Sequence, residues 1–361
     1  MRRLGKAVER QTRRAFDALL DVVWPSADLG ALPAGYAARK VLLVRPNFRI
    51  GNTVLATALL PALQARFPGA RIDQLAGDTT ACLLEGLPID RVHCVSRMFI
   101  VAPWRFVALF VRLRKERYDV AVDGGMGSFS GALYAFLSGA RERVGFGGRG
   151  DRFLTARLHL ERLTNAYEEA PAFARALGVT CPTRPLYQVT PAEDAAALAQ
   201  LRALGLAADH TCRPFIAAFV GGHLEKRWPQ REWSELLVRL DGEGLPVVVF
   251  IGPEEVAFAS HLRSEAPPTL RIVPPQPLRA FAALLARATL LLTPDSGPMH
   301  LAVAAGVPTV ALLQYERSPY YAPRGPEDRV LWQPRWVDVL ATLRQHPRWK
   351  LVAPRRGAAG A

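Results

Sequence analysis

The chain has 361 residues, longer than a single hydrophobic core usually grows, and half of them are hydrophobic, so two packed domains are the expectation. A net charge of +14 calls for an acidic partner, but no aromatic-basic RNA motif or zinc-finger spacing accompanies it, so nucleic acid is set aside. Cys82, Cys94, Cys181 and Cys212 form no CxxC pair, which leaves them as reduced core thiols with no metal site and no cofactor expected.

Residues 1–24 read as a basic amphipathic helix. Leu4, Val8, Phe16, Leu19, Leu20 and Val23 share a face, and Arg2, Arg3, Lys6, Arg10, Arg13 and Arg14 supply charge. Such a helix either packs on the domain with a solvated basic side or attaches to an anionic membrane surface. Its charges run throughout, without the apolar stretch of a secretory signal. The most apolar stretch, 98–111, is broken by Pro103 and Arg105 and falls short of the ~20 residues of a span. A cytoplasmic protein, peripheral on the inner face of the membrane, is expected.

From residue 40 the rhythm is strand, turn, helix. Val41-Leu42-Leu43-Val44 is the wholly apolar run of a buried parallel strand. A helix is expected over 52–67, kinked by Pro61, which lacks an N–H and clashes with the preceding turn. Further strands are expected at 72–76, 92–95, 120–123 and 143–146, with helices over 103–117 and 128–138. Residues 180–191 hold three prolines and read as an interdomain linker. A second alternation follows, with strands at 215–220, 247–251, 271–273, 290–293 and 309–313 and helices near 230–241, 254–264, 278–287 and 297–305. The pattern predicts an α/β fold of two Rossmann-like halves with parallel sheets facing across a cleft. The expected division is 1–30 (basic helix), 31–185 and 186–361.

Ligands in such sheets bind beyond the carboxyl ends of the strands. Strand 290–293 ends there in Pro294-Asp295-Ser296-Gly297-Pro298-Met299-His300. Ser296 and Gly297 can present backbone N–H groups at a helix start, an anion site, with Asp295 for sugar hydroxyls and His300 as a donor to phosphate. An ordinary turn capped by Asp295 or Ser296 is the plainer alternative. Lys226, in the loop after strand 215–220, can supply a charge to a diphosphate, and the turn 252–255 offers Glu254 and Glu255 to ribose hydroxyls. For both loops the plain alternative is a solvated, charged helix entry. On the opposite wall the turn 45–52 carries Arg45 and Arg49, suited to an anionic acceptor or to the donor diphosphate, beside Gly51 and Asn52; a surface turn with two solvated arginines is the plain alternative. No GxGxxG follows a strand and no GxxxxGK[ST] occurs, which disfavours dehydrogenases and P-loop enzymes.

The segments VLLVRPNFRIGNTVLATALL, YDVAVD, GARERVGF, EKRWPQREW and PDSGPMHLAVAAGVPTVALL, spread in order from residue 41 to 313, resemble the heptosyltransferases of glycosyltransferase family nine. The resemblance implies a GT-B fold, a metal-independent site between its domains, and a donor that is an ADP-activated heptose (ADP-heptose) or related nucleotide sugar; the expected reaction is inverting transfer of that sugar to a lipid-linked lipopolysaccharide core or similar glycan. The resemblance implies donor contacts from Lys226, Asp295, Ser296, Gly297, His300 and Glu255 or Glu254; the position of the first turn makes Arg45, Arg49 and Gly51 the candidate acceptor contacts. The family has Asp, regarded as the general base, directly after that glycine. Here the position is Asn52, an amide without useful basicity. Three expectations stay open: Asn52 orients the acceptor while Asp123 or Asp78 acts as base, a loose transition state needs little base help, or the chain is a catalytically weak or inactive scaffold that binds a nucleotide sugar or phosphoglycan. A UDP-sugar epimerase on the same scaffold is a further alternative.

Overall fold

The structure is a computed structural model that describes residues 29–33, 35–159, 162–265 and 270–353. The basic N-terminal helix expected over 1–24 lies outside the described residues.

Two six-stranded sheets of the same design dominate. The first is built from β1 (Lys40–Arg45), β2 (Arg71–Gly77), β3 (Arg91–Val95), β4 (Val120–Asp123), β5 (Glu142–Phe146) and β6 (Ala156–Leu158). They lie in the order β3-β2-β1-β4-β5-β6, every pair parallel. A two-stranded hairpin, β7 (Ala207–Ala208) with β8 (Thr211–Cys212), precedes the second sheet. That sheet comprises β9 (Ile216–Phe219), β10 (Val247–Phe250), β11 (Arg271–Val273), β12 (Leu290–Pro294), β13 (Thr309–Leu313) and β14 (Arg329–Trp332). Its order, β11-β10-β9-β12-β13-β14, repeats the first. In each sheet the strand order reverses beside the first strand, which opens the crevice where ligands of doubly wound folds bind.

Val41 to Val44 of β1 and Leu290 to Leu292 of β12 are fully buried because helices cover both faces of each sheet. The expected helix over 52–67 is two helices, Ile50–Ala56 and Leu59–Arg66. Pro61 sits in the first turn of the second, where its missing N–H costs nothing. The break falls at Thr57, whose hydroxyl donates to the Val54 carbonyl at 2.6 Å. The irregular stretch expected at 180–191 gives way at Pro191 to a helix, Pro191–Ala203. There Thr190 and Glu193 form a capping box that the three prolines had obscured.

The two halves share packing. Val54 from the helix Ile50–Ala56 and Leu83 enter the core of the second sheet beside Leu301 and Ala302. Arg279 bridges them too: its guanidinium donates to the carbonyls of Cys82 (2.9 Å) and Gln188 (3.1 Å) and to Glu193 Oε2 (2.6 Å).

Candidate active site

The turn after β1 and the turn after β12 lead straight into helices, and these two helices pack against each other at their N-terminal ends. The contact needs glycine on both sides. A Cβ on Gly51 would lie 2.5 Å from His300 Cδ2, and one on Gly297 would lie 2.7 Å from Ile50 Cβ. At the other end of the second helix, Gly306 takes φ of +80°, the left-handed conformation that lets the chain turn into β13.

This packing holds the walls of a cavity of about 600 Å³. Arg49, Gly51 and Asn52 line it from the first half, and Lys226, Asp295, Ser296, Gly297 and His300 from the second. Lys226 Nζ lies 2.7 Å from Asp295 Oδ2, an ion pair whose carboxylate is almost wholly buried. Lys226 also stands 5.4 Å over the ring of Tyr321. The helix Gly297–Ala305 has no side-chain cap: the Ser296 hydroxyl is engaged with Thr293 Oγ1 at 2.9 Å. Its N-terminus, with the positive end of its dipole, is thus left to a ligand. Arg49 and Arg317 add two cations at the rim.

His300 is buried, and the Tyr167 hydroxyl stands 2.8 Å from its Nδ1. Burial pulls the imidazole down to about 4, with Asp295 opposing and Lys226 assisting. Burial also raises the Tyr167 phenol well above its usual range. With the imidazole neutral and the phenol protonated, the tautomer in which Tyr167 donates to Nδ1 carries its proton on Nε2 and presents that N–H as a donor.

Several residues singled out from the sequence lie elsewhere. Asp123 does not line the cavity; it is 1 % exposed beneath Gly131, whose Cβ position is 2.0 Å from Asp123 Oδ1. Its Oδ1 accepts from Gly125 N at 2.9 Å while Oδ2 has no hydrogen-bond partner among the described residues, and burial pushes the carboxyl up to about 7 against the pull of Gly125 N–H and Arg45. Asp78 is exposed at the end of β2 and also stays outside the cavity. Arg45 turns under the first half toward Glu169, in a small separate pocket. Glu254 and Glu255 fall away from it too. Both pair with Arg227, at 2.8 and 2.7 Å, and Glu255 Oε2 accepts from Gly252 N. Their carboxylates hold the loop 221–228 onto the turn 252–255. Within that loop Lys226 faces the cavity, Arg227 faces these glutamates, and Trp228 is buried with Nε1 donating to the Pro334 carbonyl at 2.8 Å.

The sequence reading passed over Tyr167, Tyr315, Arg317 and Tyr321. The last three follow β13, and the strand-end rule alone could have indicated them. Tyr167 arrives from the segment after β6, which carries no motif. Beside the cavity, sharing Ile50, Phe219 and Pro298 with it, is an apolar slot of about 350 Å³ that also takes in Phe48, Phe250 and Gly252.

Comparison with known proteins agrees with this architecture. The family model of glycosyltransferase family 9 (heptosyltransferase) matches residues 106–342. Lipopolysaccharide heptosyltransferase 2 of Escherichia coli K12 is 26% identical over 324 residues, which cover 80% of this chain and 84% of that one. Among solved structures, a family 9 glycosyl transferase from Veillonella parvula superposes with a TM-score of 0.72 at 19% identity, over 90% of this chain and 94% of that one. The E. coli heptosyltransferase WaaC with ADP-2-deoxy-2-fluoro heptose superposes with a TM-score of 0.68 at 20% identity, over 85% and 99%. The fold is that of the GT-B heptosyltransferases, and the chain belongs to glycosyltransferase family 9.

Proposed function

We propose that the chain transfers a heptose from ADP-heptose, with inversion and without a metal, to a lipid-linked glycan of the lipopolysaccharide core. The observation that carries this is the joint cavity: an uncapped helix N-terminus and Lys226 on one wall, Asn52 and Arg49 on the other. Residues 31–185 form the acceptor domain and residues 186–361 the donor domain. The similarity to lipopolysaccharide heptosyltransferases supports the sugar and the acceptor class, and the WaaC complex with ADP-2-deoxy-2-fluoro heptose supports an ADP-linked donor.

In this reading the diphosphate sits at Ser296, Gly297 and Lys226, with the adenine in the adjoining apolar slot. His300 donates from Nε2 to the donor, held in that tautomer by Tyr167. The acceptor hydroxyl attacks the anomeric carbon from the Asn52 side. The bond to the diphosphate breaks, and its electron pair leaves with the phosphate, where the helix dipole and Lys226 stabilise the charge. Asn52 positions the hydroxyl and takes no proton. Neither Asp123 nor Asp78 lines the cavity; in this reading the reaction proceeds through a loose transition state in which the hydroxyl proton is lost late, to solvent. The protein works at the inner face of the cytoplasmic membrane, its basic N-terminal segment drawn to anionic lipid.

A second reading, a scaffold that binds the nucleotide sugar without turnover, rests on Asn52. ADP release from ADP-heptose, measured with and without a core-oligosaccharide acceptor, separates the two. Acceptor-dependent release supports transfer. Saturable donor binding without release refutes it, and turnover of a UDP-sugar without an acceptor would point to an epimerase.

A further inference from the structure

The helix Pro103–Glu116 carries two apolar faces. Leu109, Phe110 and Leu113 are buried against the first sheet. On the solvent side Trp104, Val107 and Val111 recur at i, i+3 and i+7 and are 66%, 60% and 46% exposed. Met98 and Val101, in the turn that leads into the helix, continue the stripe at 58% and 66%. A surface helix is ordinarily polar on this side, and a contiguous exposed apolar stripe marks an interaction site.

The stripe has a charged frame. On a helical projection Arg105 and Arg112 run along one edge, Arg114 along the other, and Lys115 stands at its far end. None of these four has a carboxylate partner among the described residues. The helix's single carboxylate, Glu116, is occupied by Lys40 and Arg91. The stripe also lies on the cleft side of the molecule. Arg97, beside Met98, places its guanidinium 4.7 Å over the ring of Phe48, in the turn whose next residues line the cavity.

We propose that this stripe docks the protein on an anionic lipid bilayer. Trp104 and the valines enter the headgroup level, where amphipathic aromatic rings settle, and Arg105, Arg112, Arg114 and Lys115 meet the lipid phosphates. An acidic protein would match the charge but not the bare valines, and a second copy of this basic chain would oppose it. The purpose of the docking rests on the proposed lipid-linked acceptor; the docking itself does not.

The test is sedimentation of the full chain with vesicles of phosphatidylglycerol and phosphatidylcholine, and with pure phosphatidylcholine, at low salt and without sugars. Binding to the anionic vesicles is expected. Arg105→Gln with Arg112→Gln should weaken it about 25-fold, roughly fivefold per basic side chain. Trp104→Ser with Val107→Ser should cause a comparable loss and reduce the quenching of tryptophan fluorescence by brominated lipid. All four side chains are exposed, so thermal midpoints should hold. Three results overturn the proposal: no binding by the wild type, wild-type binding by both variants (attraction through the N-terminal segment alone), or a wild-type dimer that Trp104→Ser turns into a monomer. ADP release with a soluble, delipidated acceptor should stay unchanged in both variants. Its absence in the wild type would refute the transferase reading while leaving the docking result standing.

Discussion

Replacing Gly51 by alanine places a methyl carbon 2.5 Å from His300 Cδ2, 3.2 Å from Nε2 and 3.4 Å from Cγ. Carbon atoms sit comfortably at roughly 3.5–4.0 Å, so the ring must give way by about 1 Å. It has little room to do so, because His300 is buried and its far edge is tied to Tyr167 at 2.8 Å. Overpacking of this kind costs about 1–3 kcal/mol, and losing the Tyr167 bond adds about 1 kcal/mol. Against this, alanine in place of glycine within a helix gains up to ~1 kcal/mol. The net expectation for Gly51→Ala is a loss of about 2 kcal/mol, read as a lower urea midpoint at unchanged slope. The decisive control is the same substitution in a His300→Ala background. There the obstacle is gone and only the helix gain remains, so the effect should vanish or reverse, a coupling of about 3 kcal/mol. Gly51→Ala alone should also reduce the thermal stabilisation by ADP-heptose, because the displaced ring is the proposed donor contact. An equal loss of stability in both backgrounds would show that the Gly51–His300 contact does not govern this packing.

Three other outcomes are expected. Asn52→Ala should lower turnover about tenfold, the value of one hydrogen bond, without abolishing donor binding, and Asn52→Asp should change turnover by less than that; a gain of about a hundredfold or more in the aspartate variant would show that the wild type lacks a base it needs. Native Asp123 keeps its proton up to about pH 7 while the unfolded carboxyl loses it near 3.8, so its contribution to stability falls as pH rises through that window. His300, lowered from 6.5 to about 4, binds its proton first in the unfolded state and contributes the opposite slope. Asp123→Asn should therefore uncover a rise in stability from about pH 4 to 6.5 in chemical denaturation, and a variant curve parallel to the wild type would refute this balance. Arg279→Ala should destabilise by about 2–4 kcal/mol, toward the lower end of the buried-pair range because Glu193 still touches water, and an unchanged urea midpoint would remove it as the tie between the halves.

Much of the architecture was readable because it is written locally. The apolar runs of β1, β9, β10 and β12 stand within a residue or two of their expected positions, since a strand buried on both faces must be apolar throughout. Edge strands escape that rule. β14 alternates between half-buried and exposed residues, and β6 spans only three, so neither was expected. The helix Pro191–Ala203 carried a capping box in plain sight, overshadowed by the prolines before it.

The sequence by itself determined the doubled alternation of strand and helix and the strand-to-helix turn at Asp295 and Ser296, because periodicity, glycine and proline act over a few neighbouring residues; that this turn is left uncapped was decided by the contact of Ser296 with Thr293. Only the tertiary structure decided which charged groups at the strand ends share the cavity. Asp123 stands at a strand end as Asp295 does, yet one is sealed beneath the helix Phe129–Leu137 and the other is paired directly with Lys226 at the cavity wall. Glu255 was taken by Arg227, and Asn52 was brought opposite the helix Gly297–Ala305 through a glycine contact between segments some 250 residues apart. A side chain's direction is fixed by whatever packs against it, and here those neighbours come from elements distant in the chain.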